Sequence, residues 1–260
     1  MSADLQSRSE ASRPESPAFA LTGITRSFGD REAVVDLDLS VPRGCLLGLL
    51  GANGSGKTTT LRLLLGILSP NRGQIEILGV SDHDPAALDR VRRARLTYLP
   101  EERGLYPRMR VIDLLVFMAG LRGVPDEVAH ARATVWMQRL GLERHQRSLC
   151  GSLSKGMQQK VQIIAALLHE PSVLVLDEPF SGLDPLNQDV LEQIMLEQQR
   201  RGGTIVFSTH QMDRAERLCD RICLLAGGRC VLEGPLGDLI QAADGSSLHE
   251  LFLRHAGARA

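Results

Sequence analysis

LLGLLGANGSGKTTTLRLLLGIL, residues 46–68, runs from an apolar segment through a glycine-rich turn into a second apolar segment. Leu46–Leu50 has the continuous apolar character of a buried parallel strand. Gly51, Gly54 and Gly56 then permit backbone conformations closed to other residues and let main-chain N–H groups come close to an anion. From Thr58 onward the chain is apolar on nearly every side, which predicts a helix packed under a sheet with its N-terminus aimed at that anion. The spacing G-x-x-x-x-G-K-[ST] is that of a phosphate loop. Lys57 is expected to reach the β- and γ-phosphates of a nucleotide, and the Thr58 hydroxyl to ligate Mg²⁺. Gly51, Asn53, Gly54, Ser55, Gly56, Lys57, Thr58 and Thr59 form the expected phosphate cradle. The alternative is a plain glycine-rich turn, which would need neither the lysine nor the hydroxyl at these offsets.

Lysine usage supports the same reading. Only 3 of the 30 basic residues are lysine, and these are Lys57, Lys155 and Lys160. A compact ammonium on a flexible stem suits a tight phosphate cradle better than a guanidinium fork.

Bulk properties narrow the function classes. At 260 residues the chain is long enough for one α/β domain with an inserted subdomain. A formal net charge of −1 argues against a nucleic-acid binder that neutralises many phosphates, and 3% aromatic residues argue against stacking on single strands. Five cysteines without a C-x-x-C pair read as buried thiols in a reducing compartment, with Cys219 and Cys223 sharing a helix face or straddling a helix end. No run approaches eighteen apolar residues, and residues 1–17 lack the apolar core of a secretory signal. The expectation is a cytoplasmic protein with a disordered tail over 1–17, a nucleotide-binding domain over 18–240 and a short C-terminal tail or helix over 241–260.

Phe19–Val41 alternates around Gly29-Asp30, predicting antiparallel strands at a sheet edge, and Gly73–Gly79 predicts another strand. Arg95–Leu99 is read as a strand closed by Pro100, and Val111 to about Leu149 as helical. That block places a helical subdomain over about 108–160. Val173–Leu176 and Thr204–Ser208 are continuous apolar strands, and Ile222–Leu225 with Cys230–Leu232 read as a hairpin.

The strand Val173–Leu176 ends in Asp177-Glu178. It carries Asp177 to the sheet edge where the phosphate loop lies, placing a carboxylate for Mg²⁺. Glu178, one residue on, is positioned to act as general base on a water. A solvated acidic turn before Pro179 is the alternative, and the upstream phosphate loop weighs against it. Leu153–Lys160 reads LSKGMQQK and precedes the strand by one helix, read as Val161 to His169. With these segments the chain resembles the ATP-binding cassette (ABC) family of transporter ATPases, from Phe19 to about Pro235. The likeness is carried by Gly51–Thr59, Leu153–Gln158, Asp177-Glu178, Ser181–Pro185 and His210, in the family's order and spacing.

That resemblance implies an α/β fold. Its P-loop NTPase core is a mostly parallel sheet between helices, joined to an antiparallel β subdomain and an inserted helical subdomain. It implies ATP and Mg²⁺ as ligands, and Glu178, His210 and Lys57 as catalytic residues. Ser154 and Gly156 are then expected to face the γ-phosphate of the nucleotide held by a second cassette, although alone Ser154 would read as a helix cap. Asp184 is expected at the interface between the two cassettes. Phe28 is expected to stack on adenine, with a core phenylalanine as the alternative.

Three features depart from the family pattern. Lys155 and Met157 replace the usual residues of the signature, Glu101 stands where a glutamine is usual, and the C-terminal extension is short. Glu101 keeps an oxygen for Mg²⁺ but adds negative charge. PEERGLYP and LSKGMQQK together resemble the branch serving ABC-2-type exporters, including sodium-efflux and drug-resistance ATPases. The implied function is an ATPase subunit that pairs with a second copy, drives a separate integral-membrane permease and sits peripherally on the inner face of the cell membrane. No nucleic-acid partner is expected. A soluble cassette ATPase working on ribosomes or nucleic acid is the alternative, weakened by the single cassette and the absence of a basic surface. A P-loop kinase or GTPase would not need the signature segment.

Overall fold

The computed structural model describes residues 16–102, 104–243, 245 and 247–256. The expected tail therefore lies outside the described residues over 1–15.

Two sheets organise the chain. The first is antiparallel and four-stranded: β1 (Phe19–Phe28), β2 (Arg31–Val41), β4 (Arg72–Ile77) and β5 (Val80–Ser81), in the order β2-β1-β4-β5. Gly29-Asp30 makes the β1–β2 turn, as the alternation predicts. The second sheet holds β3 (Leu46–Leu50), β6 (Leu96–Leu99), β7 (Val173–Leu176), β8 (Thr204–Thr209), β9 (Arg221–Ala226) and β10 (Arg229–Pro235). Its order is β10-β9-β3-β8-β7-β6, with every pairing parallel except the β9–β10 hairpin.

β3 shows why the larger sheet sits at the centre. Side chains alternate across a strand, so Leu46 and Leu50 enter one core while Leu47 and Leu49 enter the other. The same split separates Leu174 and Leu176 from Val173 and Val175. Both faces are covered, and the strand is apolar throughout because each fully buried leucine is worth about 1.5–3 kcal/mol. Gly48 is required by a close approach: a Cβ there would stand 2.7 Å from Cys219 Sγ.

Nine helices among the described residues cover the sheets and extend them: α1 (Lys57–Leu64), α2 (Pro85–Arg95), α3 (Val111–Gly120), α4 (Asp126–Arg139), α5 (Lys155–Leu167), α6 (Pro185–Arg200), α7 (Met212–Leu218), α8 (Leu236–Ala242) and α9 (Leu248–Ala256). Helices α3 and α4 are the expected helical block. Past them Arg110 bridges to Leu149, and two short 3-10 turns lead into α5.

The structure corrects two boundaries and adds helix α6. Arg95 ends α2 rather than opening β6, since the run Pro85–Arg95 is capped by Asp84, whose carboxylate accepts from the Ala87 N–H at 2.9 Å. Helix α5 starts at Lys155, not Val161, because Ser154 caps it: its hydroxyl accepts from the Met157 N–H at 3.3 Å. Helix α6 has no counterpart in the sequence reading; its Asp184 cap and Pro185 at the first helical position are the signals that identify it.

Cys219 ends α7 and Cys223 lies in β9, so the two straddle a helix end. The thiol neighbours are instead Cys223 and Cys230, with sulfurs 3.5 Å apart across the hairpin. All five thiols are free. No helix among the described residues is long and apolar enough to cross a membrane.

Candidate nucleotide site

At the C-terminal edge of the parallel strands, an open cavity of about 680 Å³ is bounded by Phe28, the loop before α1, Glu101, Glu178 and His210. It brings together Phe28, Asn53, Gly54, Gly56, Lys57, Thr58, Thr59, Glu101, Glu178 and His210 from the predicted set. Arg31 and Ala33 also line it without a counterpart in the sequence reading, as does Ser181, which that reading named only within the segment Ser181–Pro185. Phe28 is 46% exposed at the rim, which excludes the core alternative, and the Arg26 guanidinium lies over its ring at 4.7 Å.

Gly51 and Ser55 do not reach the cavity wall; both are buried beneath the loop. Gly51 has φ 150°, and a Cβ there would meet Leu225 O and Ser55 Oγ, both at 2.4 Å. The hairpin between β9 and β10 supports the loop from below, through a Gly228 N–H bond to Ser55 O at 3.1 Å. Gly51 and Ser55 thus shape the cradle from behind. Gly56, at φ 107°, approaches Ala33 O so closely that a Cβ would stand 2.5 Å away.

Lys57 is buried, and its ammonium donates to Gly51 O at 2.8 Å and Ala52 O at 3.2 Å. It also stands 3.5 Å from Glu178 Oε1. The other Glu178 oxygen lies 3.1 Å from His210 Nδ1. A carboxylate only accepts, so Nδ1 carries the proton in this pair. Glu178 has a left-handed backbone with φ 43°, a conformation that costs about 1–3 kcal/mol in a non-glycine residue and clusters at functional positions. Ser208 holds that strain in place, with its Oγ accepting from the Glu178 N–H at 2.8 Å.

Asp177 is buried behind the cavity and reaches it through Thr58. Its Oδ1 accepts from Ser208 Oγ at 2.6 Å and Thr58 Oγ1 at 3.2 Å, and its Oδ2 accepts from Tyr98 OH at 3.2 Å. Burial and then the Asp177 charge push the Tyr98 phenol up to about 12, so it stays protonated and donates.

Sequence reasoning missed Ser208 and Tyr98. The register identifies them: Leu176 pairs with Phe207, so Ser208 follows beside Asp177, and Tyr98 pairs with Val175, which lies on the same strand face as Asp177. Ser208→Ala should remove two hydrogen bonds to a buried carboxylate and a strained N–H, costing about 2–4 kcal/mol. Scanning calorimetry should show Tm lower by roughly 5–15 °C; an unchanged Tm would contradict this role for the hydroxyl.

The residues present fit a nucleotide triphosphate with Mg²⁺. A buried ammonium and glycines with left-handed backbone face the cavity at the start of a helix. Thr58 Oγ1 and Asp177 Oδ1 are adjacent hard oxygen donors of the kind Mg²⁺ takes. Among the described residues no three His, Cys, Asp or Glu side chains form a metal cage.

Ser154 and Gly156 are not at this cavity. They open α5 beside the start of α6: a Cβ on Gly156 would stand 2.9 Å from Asn187 Nδ2 and 3.8 Å from Asp184 Oδ2. The Asp184 carboxyl is held below the usual range, chiefly by the Asn187 N–H that it accepts at 3.0 Å.

One sheet edge that gathers a phosphate loop, a strand-end carboxylate pair and a histidine at the end of the next strand defines a P-loop nucleotide hydrolase. Comparison with known proteins carries the assignment further. The ABC transporter family model matches residues 34–181, more than half of the chain. The uncharacterized ABC transporter ATP-binding protein YhaQ of Bacillus subtilis is 43% identical over 83% of this chain and 70% of its own. The Nod factor export ATP-binding protein I of Cupriavidus pinatubonensis is 36% identical over 91% of this chain and 74% of its own. Among solved structures, an ATP-binding subunit of an ABC transporter superposes with a TM-score of 0.83 at 34% identity, covering 91% of this chain and 98% of that one. A dimeric bacterial ABC transporter cassette gives 0.76 at 25% identity, covering 84% and 98%. The chain belongs to the ABC transporter family, and it is an ATP-hydrolysing subunit of that family.

Proposed function

We propose that the chain works as a head-to-tail pair in which each copy holds ATP and Mg²⁺ in its own cavity and closes the other copy's site with Ser154 and Gly156. The observation that carries this is the separation of that segment from the cavity of its own chain. Gly156, which carries no side chain of its own, lies in the first turn at the positive end of a 13-residue helix and suits an anion delivered by a second copy. The dimeric relative is consistent with this.

Within one site, Lys57 reaches the β- and γ-phosphates from the loop, whose amides face them. Phe28 stacks on the base at the rim. Thr58 and Asp177 would hold Mg²⁺, with Glu101 contributing from across the cavity, and the ion when bound neutralises phosphate charge. Glu178 accepts a proton from the attacking water at a carboxylate oxygen. His210 holds the other oxygen through its Nδ1–H, fixing the carboxylate's orientation.

The paired chains then drive an integral-membrane permease, in the manner of an ABC-2-type exporter, from the inner face of the membrane. A cleft of about 530 Å³ on α3 and α4, lined by Ile112, Val116, Phe117 and Leu121, offers the apolar contact. Tyr106 is 53% exposed beside it and packs edge-on to Phe117 with ring centres 6.2 Å apart. Purification of the tagged chain from gently solubilised membranes tests the reading. The expected product is a stoichiometric complex with a multi-spanning membrane protein, whose ATPase rate changes when Phe117→Asp is introduced. Recovery with ribosomes instead would favour the soluble alternative.

A further inference from the structure

Arg214 lies four residues past His210, in the segment read with that histidine but given no role there, and several elements around the site meet on its side chain. Its Nε donates to Gln211 Oε1 at 3.1 Å, on the residue next to His210. One terminal nitrogen pairs with Glu192 of α6, and the other donates to Gln188 Oε1 at 2.8 Å, also on α6. The guanidinium face lies 4.3 Å over the Phe180 ring, which in turn packs edge-on to Phe207 of β8. Arg214 and Glu192 are 14% and 11% exposed, so this is an interior hub.

Gln188 extends the hub to the loop between Glu178 and Asp184. Its amide nitrogen donates to Phe180 O at 3.3 Å and Leu183 O at 3.1 Å. Between those carbonyls lies Ser181, which lines the nucleotide cavity, and the loop ends at Asp184 beside Gly156. A rigid planar fork fixes several acceptors at once in a way that an ammonium does not.

We infer that Arg214 is a positioning residue that joins the turn carrying His210 to the loop running from Glu178 to Asp184, so that the carboxylate and the histidine move as one body. The inference rests on the roles proposed above for Glu178 and His210. Arg214 touches neither the phosphate loop nor Phe28, so its contribution belongs to turnover rather than to nucleotide binding.

The test is steady-state ATPase kinetics on the purified full-length chain, with rates expressed per nucleotide-binding site. Arg214→Ala is expected to lower kcat about tenfold while KM for ATP stays within about twofold. Arg214→Lys, which keeps the charge but not the fork, is expected to fall between Arg214→Ala and wild type. Gln188→Glu keeps an acceptor for Arg214 but sets a carboxylate oxygen against the Phe180 and Leu183 carbonyls; it is expected to lower kcat while KM for ATP stays within about twofold. Should Arg214→Ala fail to fold, Gln188→Glu decides alone. A wild-type kcat per site in these variants, whatever happens to Tm, overturns the inference and leaves Arg214 as helix packing. Glu178→Gln run in parallel separates the two readings: if it still turns over, the base assignment fails, whereas an inactive Glu178→Gln beside unchanged Arg214 and Gln188 variants removes only the positioning role.

Discussion

Glu178→Gln lowers kcat by on the order of 10²–10⁴-fold, the usual worth of a positioned general base, while ATP binding persists. The amide has the same shape and keeps an oxygen for the His210 Nδ1–H, now 3.1 Å from Oε2, but it cannot take a proton from water. Binding is expected to strengthen rather than weaken, because a carboxylate facing the γ-phosphate repels it and the amide does not. The ammonium of Lys57, now 3.5 Å from Glu178, then has no carboxylate competing with the phosphates. Single-turnover assays with radiolabelled ATP and light scattering are the measurements: no product release, and a nucleotide-dependent rise in mass to a dimer. Turnover within about threefold of wild type would eliminate Glu178 as the base.

Lys57→Ala has the opposite signature. The ammonium is 6% exposed and already bound to two loop carbonyls, so its desolvation is met by the fold before nucleotide arrives. Truncation removes the cation proposed to face the phosphates and takes the Lys57 partner from Gly51 O, Ala52 O and Glu178 Oε1. Losing one partner of a buried charged contact costs about 2–5 kcal/mol, which is roughly 30-fold or more in Kd. Titration calorimetry with ATP and Mg²⁺ should show that loss, with hydrolysis absent at nucleotide levels that saturate wild type. Affinity within about threefold of wild type would contradict the assigned role. Together the two variants separate binding from chemistry at two side chains that touch one another.

The site was unevenly legible. The phosphate loop, Asp177-Glu178 and the strand carrying His210 could be read because each motif lies within a few residues of one strand end, where local spacing fixes geometry. The supports could not. Ser208 and Tyr98 reach Asp177 from 31 and 79 residues away, and nothing near either residue in the chain marks it. Arg214 is equally silent: an arginine on a charged helix face, until α6 is packed against α7. Helix α2 was missed because PAALDRVRRAR fully buries only Leu88, with Val91 half-buried beside it, so its apolar stripe is short and set among arginines. The start of α5 at Lys155 is the one that reading Ser154 as a helix cap gives; the apolar run alone, from Val161, starts the helix too late.

Sequence alone determined the family, and it located the segments proposed to carry the chemistry: the glycine-rich loop with its lysine and hydroxyl, and the carboxylate pair. Each is encoded in a short stretch whose backbone conformation its own glycines and apolar residues dictate. Tertiary structure decided which of those stretches share one cavity. It put Lys57, Glu178 and His210 in contact, set Gly51 and Ser55 behind the loop, and left Ser154 and Gly156 beside Asp184, away from the nucleotide cavity. The reason is that sheet register and helix packing, acting between residues tens to hundreds of positions apart, fix where strand ends meet, and no local pattern records that.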